Sequence, residues 1–258
     1  MKITCLVENT SVKKDIIAEH GLSLLVETKK KKILFDMGQT DAFAVNAKRL
    51  GVSLSDVDIA VLSHGHYDHG GGLATFLELN KNAPVYINRH AFEPHFNGTE
   101  KYIGLDRSLE ADERILFTDD LTAVADGIDL NSCKGEKLIN KIDSGGLNMF
   151  VDDKIVADDF SHEQYLLINE NGKKILFSGC SHKGIINICE IFRPDILIGG
   201  FHFSKYQLDD KLIKNAEKLA SYETEFYTCH CTGEMQYEFM KKHMKNLNYI
   251  SGGQTVII

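Results

Sequence analysis

The stretch VLSHGHYDHGGGL at positions 61–73 sets three histidines and an aspartate, His64, His66, Asp68 and His69, within six residues, after an apolar run and before three glycines. Imidazole nitrogens are the donors that borderline divalent ions such as zinc accept, and a neighbouring carboxylate can hold a second ion or orient a water. In a loop, His64 and His66 can point the same way while Asp68 and His69 come round from the following turn. The spacing predicts a metal centre rather than a solvated histidine-rich loop. Gly70, Gly71 and Gly72 are expected to let backbone approach that centre closely.

Such a loop needs a scaffold. Short β-rich runs are predicted at residues 2–7, 22–27, 32–35, 59–63, 85–87, 165–168, 174–177, 196–198, 225–227 and 255–258, with helical periodicity at 41–50, 72–79, 184–192, 209–221 and 233–245. This is an α/β pattern in which sheets need helical cover, and the histidine-rich loop falls at the C-terminal end of a buried strand. Residues 91–160 mix Phe92, Phe96, Tyr102 and several acids without clear periodicity, and are expected to line or cover a pocket.

A repeat sharpens the architecture. Residues 20–35 align without a gap to residues 162–177, with eight of sixteen positions identical. Each copy reads as a hairpin with a polar turn, and Lys29 to Lys32 fall in the first turn as a solvated run. Two similar half-structures follow, related by a pseudo-two-fold: a four-layer αββα sandwich of two mixed sheets with outer helices, within one domain spanning 1–258.

Composition narrows the function. The chain has 258 residues, 43% of them hydrophobic, and a formal charge of −8, which argues against a sequence-independent grip on nucleic acid. No apolar run is long enough to cross a bilayer, so no membrane partner and a cytoplasmic location are expected, with a small molecule as substrate. The six cysteines, Cys5, Cys133, Cys180, Cys189, Cys229 and Cys231, lack a framework spacing and read as free thiols. The Cys229-His-Cys231 triplet lacks the second cluster that a separate zinc site requires.

His-Gly-His-Tyr-Asp-His at 64–69 resembles the HxHxDH signature of the metallo-β-lactamase superfamily, and Ile33-Leu-Phe-Asp-Met-Gly38 is similar to that family's strand ending in Asp-x-Gly. Ser178-Gly-Cys-Ser-His-Lys-Gly184, Gly199-Gly-Phe-His202 and His230-Cys-Thr-Gly233 resemble a subgroup labelled 7,8-dihydropterin-6-methyl-4-(β-D-ribofuranosyl)-aminobenzene-5′-phosphate synthase-like, or metal-dependent hydrolase. The resemblance implies the αββα sandwich and two divalent ions, zinc first, with iron or manganese as alternatives.

His182 and His230 are the expected distant ligands. His182 follows the second copy of the Lys-Lys-Ile-Leu-Phe strand, which pseudo-symmetry brings to the rim that carries Asp36, and His230 stands where the family usually places its last histidine. Cys180 occupies the family's bridging-aspartate position and can ligate or lie behind the ligands. Asp36 is read as orienting the loop through hydrogen bonds. Asp159 and His162 lie near a position where relatives often supply a ligand, but His162 matches His20 in the repeat, which suits a structural role equally well. His202 can be a ligand, a proton donor or a substrate anchor. His90 and His95 read as loop residues near the mouth and His243 as helix surface.

The chemistry expected is hydrolysis. Metal-bound hydroxide attacks a phosphoester, lactone or related ester, with Asp68 orienting the water and His202 or His182 assisting proton movement. Phosphate-bearing small molecules are favoured by what the subgroup resemblance implies and by the glycine-flanked loops, whose backbone amides can receive anions. Two readings of other classes remain: a di-iron redox or oxygen-handling protein, separable by metal content and colour, and a metal-organised ligand-binding protein without turnover.

Overall fold

The computed structural model describes residues 1–258. Strands are numbered along the chain. The first sheet contains β1 (Lys2–Val7), β2 (Ser23–Glu27), β3 (Lys32–Phe35), β4 (Ile59–Val61), β5 (Val85–Asn88), β8 (Ile115–Thr118) and β18 (Thr255–Ile257), in the spatial order β18-β1-β2-β3-β4-β5-β8. The second contains β9 (Leu121–Ala125), β10 (Ile128–Asn131), β13 (Tyr165–Glu170), β14 (Lys173–Ser178), β15 (Ile196–Gly199), β16 (Glu225–Thr228) and β17 (Leu247–Tyr249), in the order β17-β16-β15-β14-β13-β10-β9. A small third sheet joins β6 (His95–Asn97), β7 (Lys101–Tyr102), β11 (Leu147–Val151) and β12 (Lys154–Ala157).

The repeat is visible in register. Leu24 faces Phe35 across the first hairpin, and Leu166 faces Phe177 across the second, at positions equivalent in the alignment. In each large sheet the hairpin is followed by parallel strands, β3-β4-β5-β8 in one and β14-β15-β16-β17 in the other. The two sheets thus share strand order and strand sense, as the pseudo-two-fold requires.

Period-2 alternation sorts side chains into layers. Leu24, Val26, Ile33 and Phe35 from the first sheet join Leu166, Ile168, Ile175 and Phe177 from the second in one apolar core between the sheets. The intervening Leu25 and Leu34 turn outward onto Phe43 of α1 (Ala42–Arg49) and Phe76 of α3 (Leu73–Leu79). On the other side Leu176 and Leu197 pack against α4 (Ile185–Phe192), α5 (Asp210–Ala220) and α6 (Glu234–Lys241). The order helix, sheet, sheet, helix follows directly. The short helix α2 (Tyr67–Gly70) interrupts the loop between β4 and α3, and carries Asp68 and His69.

Residues 91–160 depart from the reading as irregular chain, since strands β6 to β12 occupy much of the segment. Their signal is weak because they are short and largely solvated; β12 is exposed along its whole length. The glycines after the ligand loop also act differently from expectation. A Cβ on Gly71 would stand 2.1 Å from the Gln39 carbonyl oxygen, and one on Gly72 would stand 2.3 Å from that of Met37. They let the turn pack against the loop after β3, on which Asp36 sits, rather than admit backbone to the histidine cluster. No helix is long and apolar enough to cross a membrane.

Phe35 and Phe177, equivalent in the repeat, meet across the inter-sheet core with ring centroids 5.8 Å apart. Phe35→Ala or Phe177→Ala is expected to cost about 3–5 kcal/mol, read as a lowered denaturant midpoint, with the double variant costing less than the sum because both create one shared cavity.

Candidate metal centre

The loops that carry the candidate ligands meet at the C-terminal ends of the central strands of both sheets. The loop after β4 supplies His64, His66, Asp68 and His69; the turn after β14 supplies Cys180 and His182; the turn after β16 supplies His230 and Cys231. All are at most 8% exposed. Their donor atoms fall into overlapping groups, His64 with His66 and His182, then His64 with His69 and Cys180, then Cys180 with His230 and Cys231, each within 4.8 Å. His20, at the mouth, makes a further group with Asp68 and His230.

Hydrogen bonds fix which ring nitrogens are free. Asp36 accepts from the Ser63 amide at 2.7 Å and from Ser63 Oγ at 2.8 Å. Having spent its one hydrogen on Asp36, the Ser63 hydroxyl accepts from His64 Nδ1 at 2.8 Å, which leaves His64 Nε2 with a lone pair. His69 Nδ1 donates to Asp36 Oδ2 at 2.7 Å, and His230 Nδ1 donates to Asn9 Oδ1 at 2.8 Å, so their Nε2 lone pairs also face the centre. His162 is spent: Nδ1 accepts from the Gly65 amide at 2.9 Å and Nε2 donates to Asp158 at 3.3 Å.

This donor set fits divalent ions. His64 Nε2, His66 Nε2 and both nitrogens of His182 are buried without a hydrogen-bond partner, a costly arrangement that a cation relieves. His69 Nε2 lies 3.2 Å from His230 Nε2 and 3.2 Å from Cys180 Sγ, and Asp68 Oδ2 lies 3.4 Å from His230 Nε2. Two nitrogen lone pairs so close repel unless a proton or metal lies between them.

Charge is distributed unevenly. Burial drives the imidazoles of His64, His66 and His182 well below their ordinary pKa, so they are neutral, the state in which imidazole ligates. Burial pulls His69 the same way, but Asp36 and Asp68 outweigh it and raise its pKa. Burial works against the Asp68 carboxylate, yet His69, His20 and His230 hold its pKa well below the usual range. Burial pushes the Cys180 thiol well up.

Buried carboxylates also grip the ligand loops through their backbone. Glu163 accepts from the amides of His182 at 2.7 Å and Lys183 at 3.0 Å; Glu8 accepts from the His230 amide at 2.6 Å and from Tyr249 OH at 2.8 Å. Asp36, Ser181, His202 and His230 all have left-handed φ, between 49° and 59°. Such backbone is costly and persists where neighbours over-determine it. Gly179 matters for space: a Cβ there would lie 2.2 Å from Ser63 Oγ.

Other candidates are placed as follows. His202 is partly exposed beside His182, ring centroids 4.4 Å apart, with its pKa lowered by burial to about 4. Asp159 is exposed, and its neighbour Asp158 takes the buried position beside His162. His95 is a buried strand residue rather than a loop residue, with Nδ1 3.0 Å from Asp158. His90 is half-exposed and pairs with Glu93 at 2.8 Å, and His243 is exposed just beyond α6. All six cysteines are free; Cys229 points into the inter-sheet core while Cys231 faces Cys180, which divides the triplet. Glu8, Asn9, Glu163, Asp158 and His95 carry no spacing signal, although Glu8 and Asn9 directly follow β1, where this fold gathers its functional groups.

A cleft of about 270 Å³ opens over His66, Asp68, Cys180, His182, His202 and His230. Its wall includes Asn97, Lys101, Ile103 and Leu147, so the segment 91–160 does line the pocket.

Asp36→Asn would turn an amide NH₂ toward either the Ser63 amide or the His69 Nδ1–H. The expected result is a metal affinity weaker by about 10–100-fold, measured by chelator competition, with the fold retained by circular dichroism. A second expectation concerns acid. The pKa values of His162 and His202 are both lowered to about 4, with burial the largest cause. From pH 6.5 down to 4 the unfolded chain therefore binds protons that the folded chain excludes. Stability of the metal-free protein should fall across that window and change little from this source below it, as read by denaturant titration at several pH values.

Residues 17–223 match the family model of the metallo-beta-lactamase superfamily. An uncharacterized protein of Methanocaldococcus jannaschii is 30% identical over 262 residues, covering 97% of this chain and 96% of its own. Another from that organism, named 7,8-dihydropterin-6-methyl-4-(beta-D-ribofuranosyl)-aminobenzene-5'-phosphate synthase, is 27% identical over 265 residues, covering 93% and 90%. The crystal structure of a metal-dependent hydrolase of the beta-lactamase superfamily aligns with a TM-score of 0.82 at 28% identity, over 100% of this chain and 99% of that one. A duplicated sandwich, ligand loops at the ends of its central strands and a family match over most of the sequence lead to one conclusion: the chain belongs to the metallo-β-lactamase superfamily.

Proposed function

We propose that the protein is a metal-dependent hydrolase of a small, phosphate-bearing ester, with zinc as the first choice of metal. The observation that carries this reading is the set of buried, unpartnered nitrogens on His64, His66 and His182, next to the Asp68, His69, Cys180 and His230 cluster on the floor of an open cleft. His64, His66 and His182 would hold one ion, and Asp68, His69, His230 and Cys180 a second. The chemistry such ions supply is Lewis-acid polarisation of a substrate oxygen and activation of water near neutral pH.

The chain's own groups do the rest. Asp68, held ionised, accepts a hydrogen bond from a water and orients it; His20 Nε2, 3.3 Å from Asp68 Oδ2 at the exposed mouth, links that carboxylate to solvent. His202 is neutral near pH 7, which suits hydrogen bonding to substrate better than service as a charged acid. Lys101 and Lys205 line the cleft and favour an anionic substrate in a chain of net charge −8. A phosphate group on the product named for the synthase relative supports the same preference. A small-molecule substrate and a cytoplasmic setting without nucleic-acid or membrane partners complete the proposal.

Metal analysis of the wild type beside an Asp68→Ala, His69→Ala variant, with both assayed on phosphomonoesters, phosphodiesters and lactones, tests it. About two ions per chain are expected, falling in the variant together with a rate loss of at least about a hundredfold. Metal retained without turnover on any class would instead favour ligand binding or redox chemistry.

A further inference from the structure

The fold divides the Cys229-His-Cys231 triplet and gives its two thiols different surroundings. Cys229 lies in the inter-sheet core, whereas Cys231 is 7% exposed and lines the metal cleft together with Cys180 and His230. The donor atoms of Cys180, His230 and Cys231 lie within 4.8 Å of one another. His230 Nδ1 is taken by Asn9, so Nε2 is the nitrogen that His230 offers. Two sulfurs and one imidazole nitrogen are a donor set that catalytic zinc sites use while keeping a fourth position open.

The chain around Cys231 is arranged for a charged sulfur. The His202 amide donates to Cys231 Sγ at 3.3 Å and has no other acceptor. A thiol sulfur is a weak acceptor, so an amide aimed at it is poorly satisfied unless the sulfur is a thiolate. Room is also reserved for that sulfur. A Cβ on Gly200 would stand 2.3 Å from Cys231 Sγ, and Gly200 is tied to the neighbouring turn by its amide, which donates to the Gly179 carbonyl at 2.9 Å. The thiol hydrogen of Cys231 meets only the Cys180 carbonyl, at 3.5 Å, a weak contact that a metal–sulfur bond readily replaces.

We propose that Cys231 is a ligand of the second ion, which it holds through its sulfur together with Cys180 and His230. This assignment rests on the reading of the cleft as a metal centre and adds to it a second sulfur. The thiol proton of Cys231 passes to solvent as the sulfur–metal bond forms. Thiolates are soft donors, so a position that has two of them selects zinc over manganese, which carboxylates and water suit better. Charge follows from the same count. Two thiolates and the Asp68 carboxylate against two divalent ions leave one net positive charge, and that favours an anionic substrate.

Cobalt(II) loaded into the full chain tests this, because cobalt bound by thiolate absorbs in the near ultraviolet by charge transfer and cobalt bound only by nitrogen and oxygen does not. Cys231→Ser should lower that absorption by about half, Cys180→Ser should do the same, and the double variant should abolish it. Cys189→Ser, within α4, should leave it unchanged. In chelator competition, Cys231→Ser should lower the ratio of zinc to manganese affinity by about tenfold or more. Zinc-edge X-ray absorption on the wild type gives the count without any substitution, with two sulfur neighbours per chain expected at about 2.3 Å from zinc. Undiminished charge transfer in Cys231→Ser, or a single sulfur per chain, would overturn the proposal and leave the metal centre standing. A wild type that takes up neither cobalt nor zinc would overturn the metal centre as well. Two sulfurs on the metals without hydrolysis of any ester would sink the reaction assigned to the cleft and leave Cys231 a ligand.

Discussion

One carboxylate organises the centre. Asp36 is fully buried, and its oxygens accept from the Ser63 amide, the Ser63 hydroxyl and His69 Nδ1. Through Ser63 the same charge sets the tautomer of His64, so one residue on β3's exit aims two rings. Burying a carboxylate is unfavourable without such partners, and the three donors stabilise it while losing their own freedom to turn. Glu163 and Glu8 repeat the arrangement for the loops of His182 and His230. The candidate ligands are therefore held by carboxylates that stand behind them.

The duplicated scaffold explains where these groups gather and why they differ. Parallel strands after each hairpin bring loop after loop to one edge of each sheet, and face-to-face packing sets the two edges together. Equivalent positions then diverge. His20 sits at the open mouth against Asp68, while His162, its counterpart, is buried between Gly65 and Asp158 with no lone pair left over. Asp36 corresponds to Ser178, whose hydroxyl bonds to Ser181 instead of orienting a ring. The symmetry belongs to the backbone, and the chemistry is asymmetric.

Much of this was legible in the sequence because it is written in local patterns. Alternation marked the central strands, the repeat the paired hairpins, and the density of donors the loop at 64–69; His182 was singled out by its place after the repeated strand and His230 by the family resemblance, and both stand beside that loop. Asp158 and His95 were not legible, because they lie 63 residues apart and are joined only by tertiary packing. Asp159, read as lying near a position where relatives often supply a ligand, is exposed, while its neighbour Asp158 is buried against His95 and His162. Residues 91–160 hid seven short strands, since strands of two to five residues, several of them solvated, carry little apolar alternation.

The division of ligands between the two halves carries a mechanical consequence. His64, His66, Asp68 and His69 hang from the first sheet, and Cys180, His182 and His230 from the second. An ion coordinated by both sets is a cross-link through the middle of the sandwich, and the work of parting the sheets at that edge includes the work of stripping the ion. Loading and closure would then be one equilibrium, with the rim freer to open in the empty protein than in the filled one.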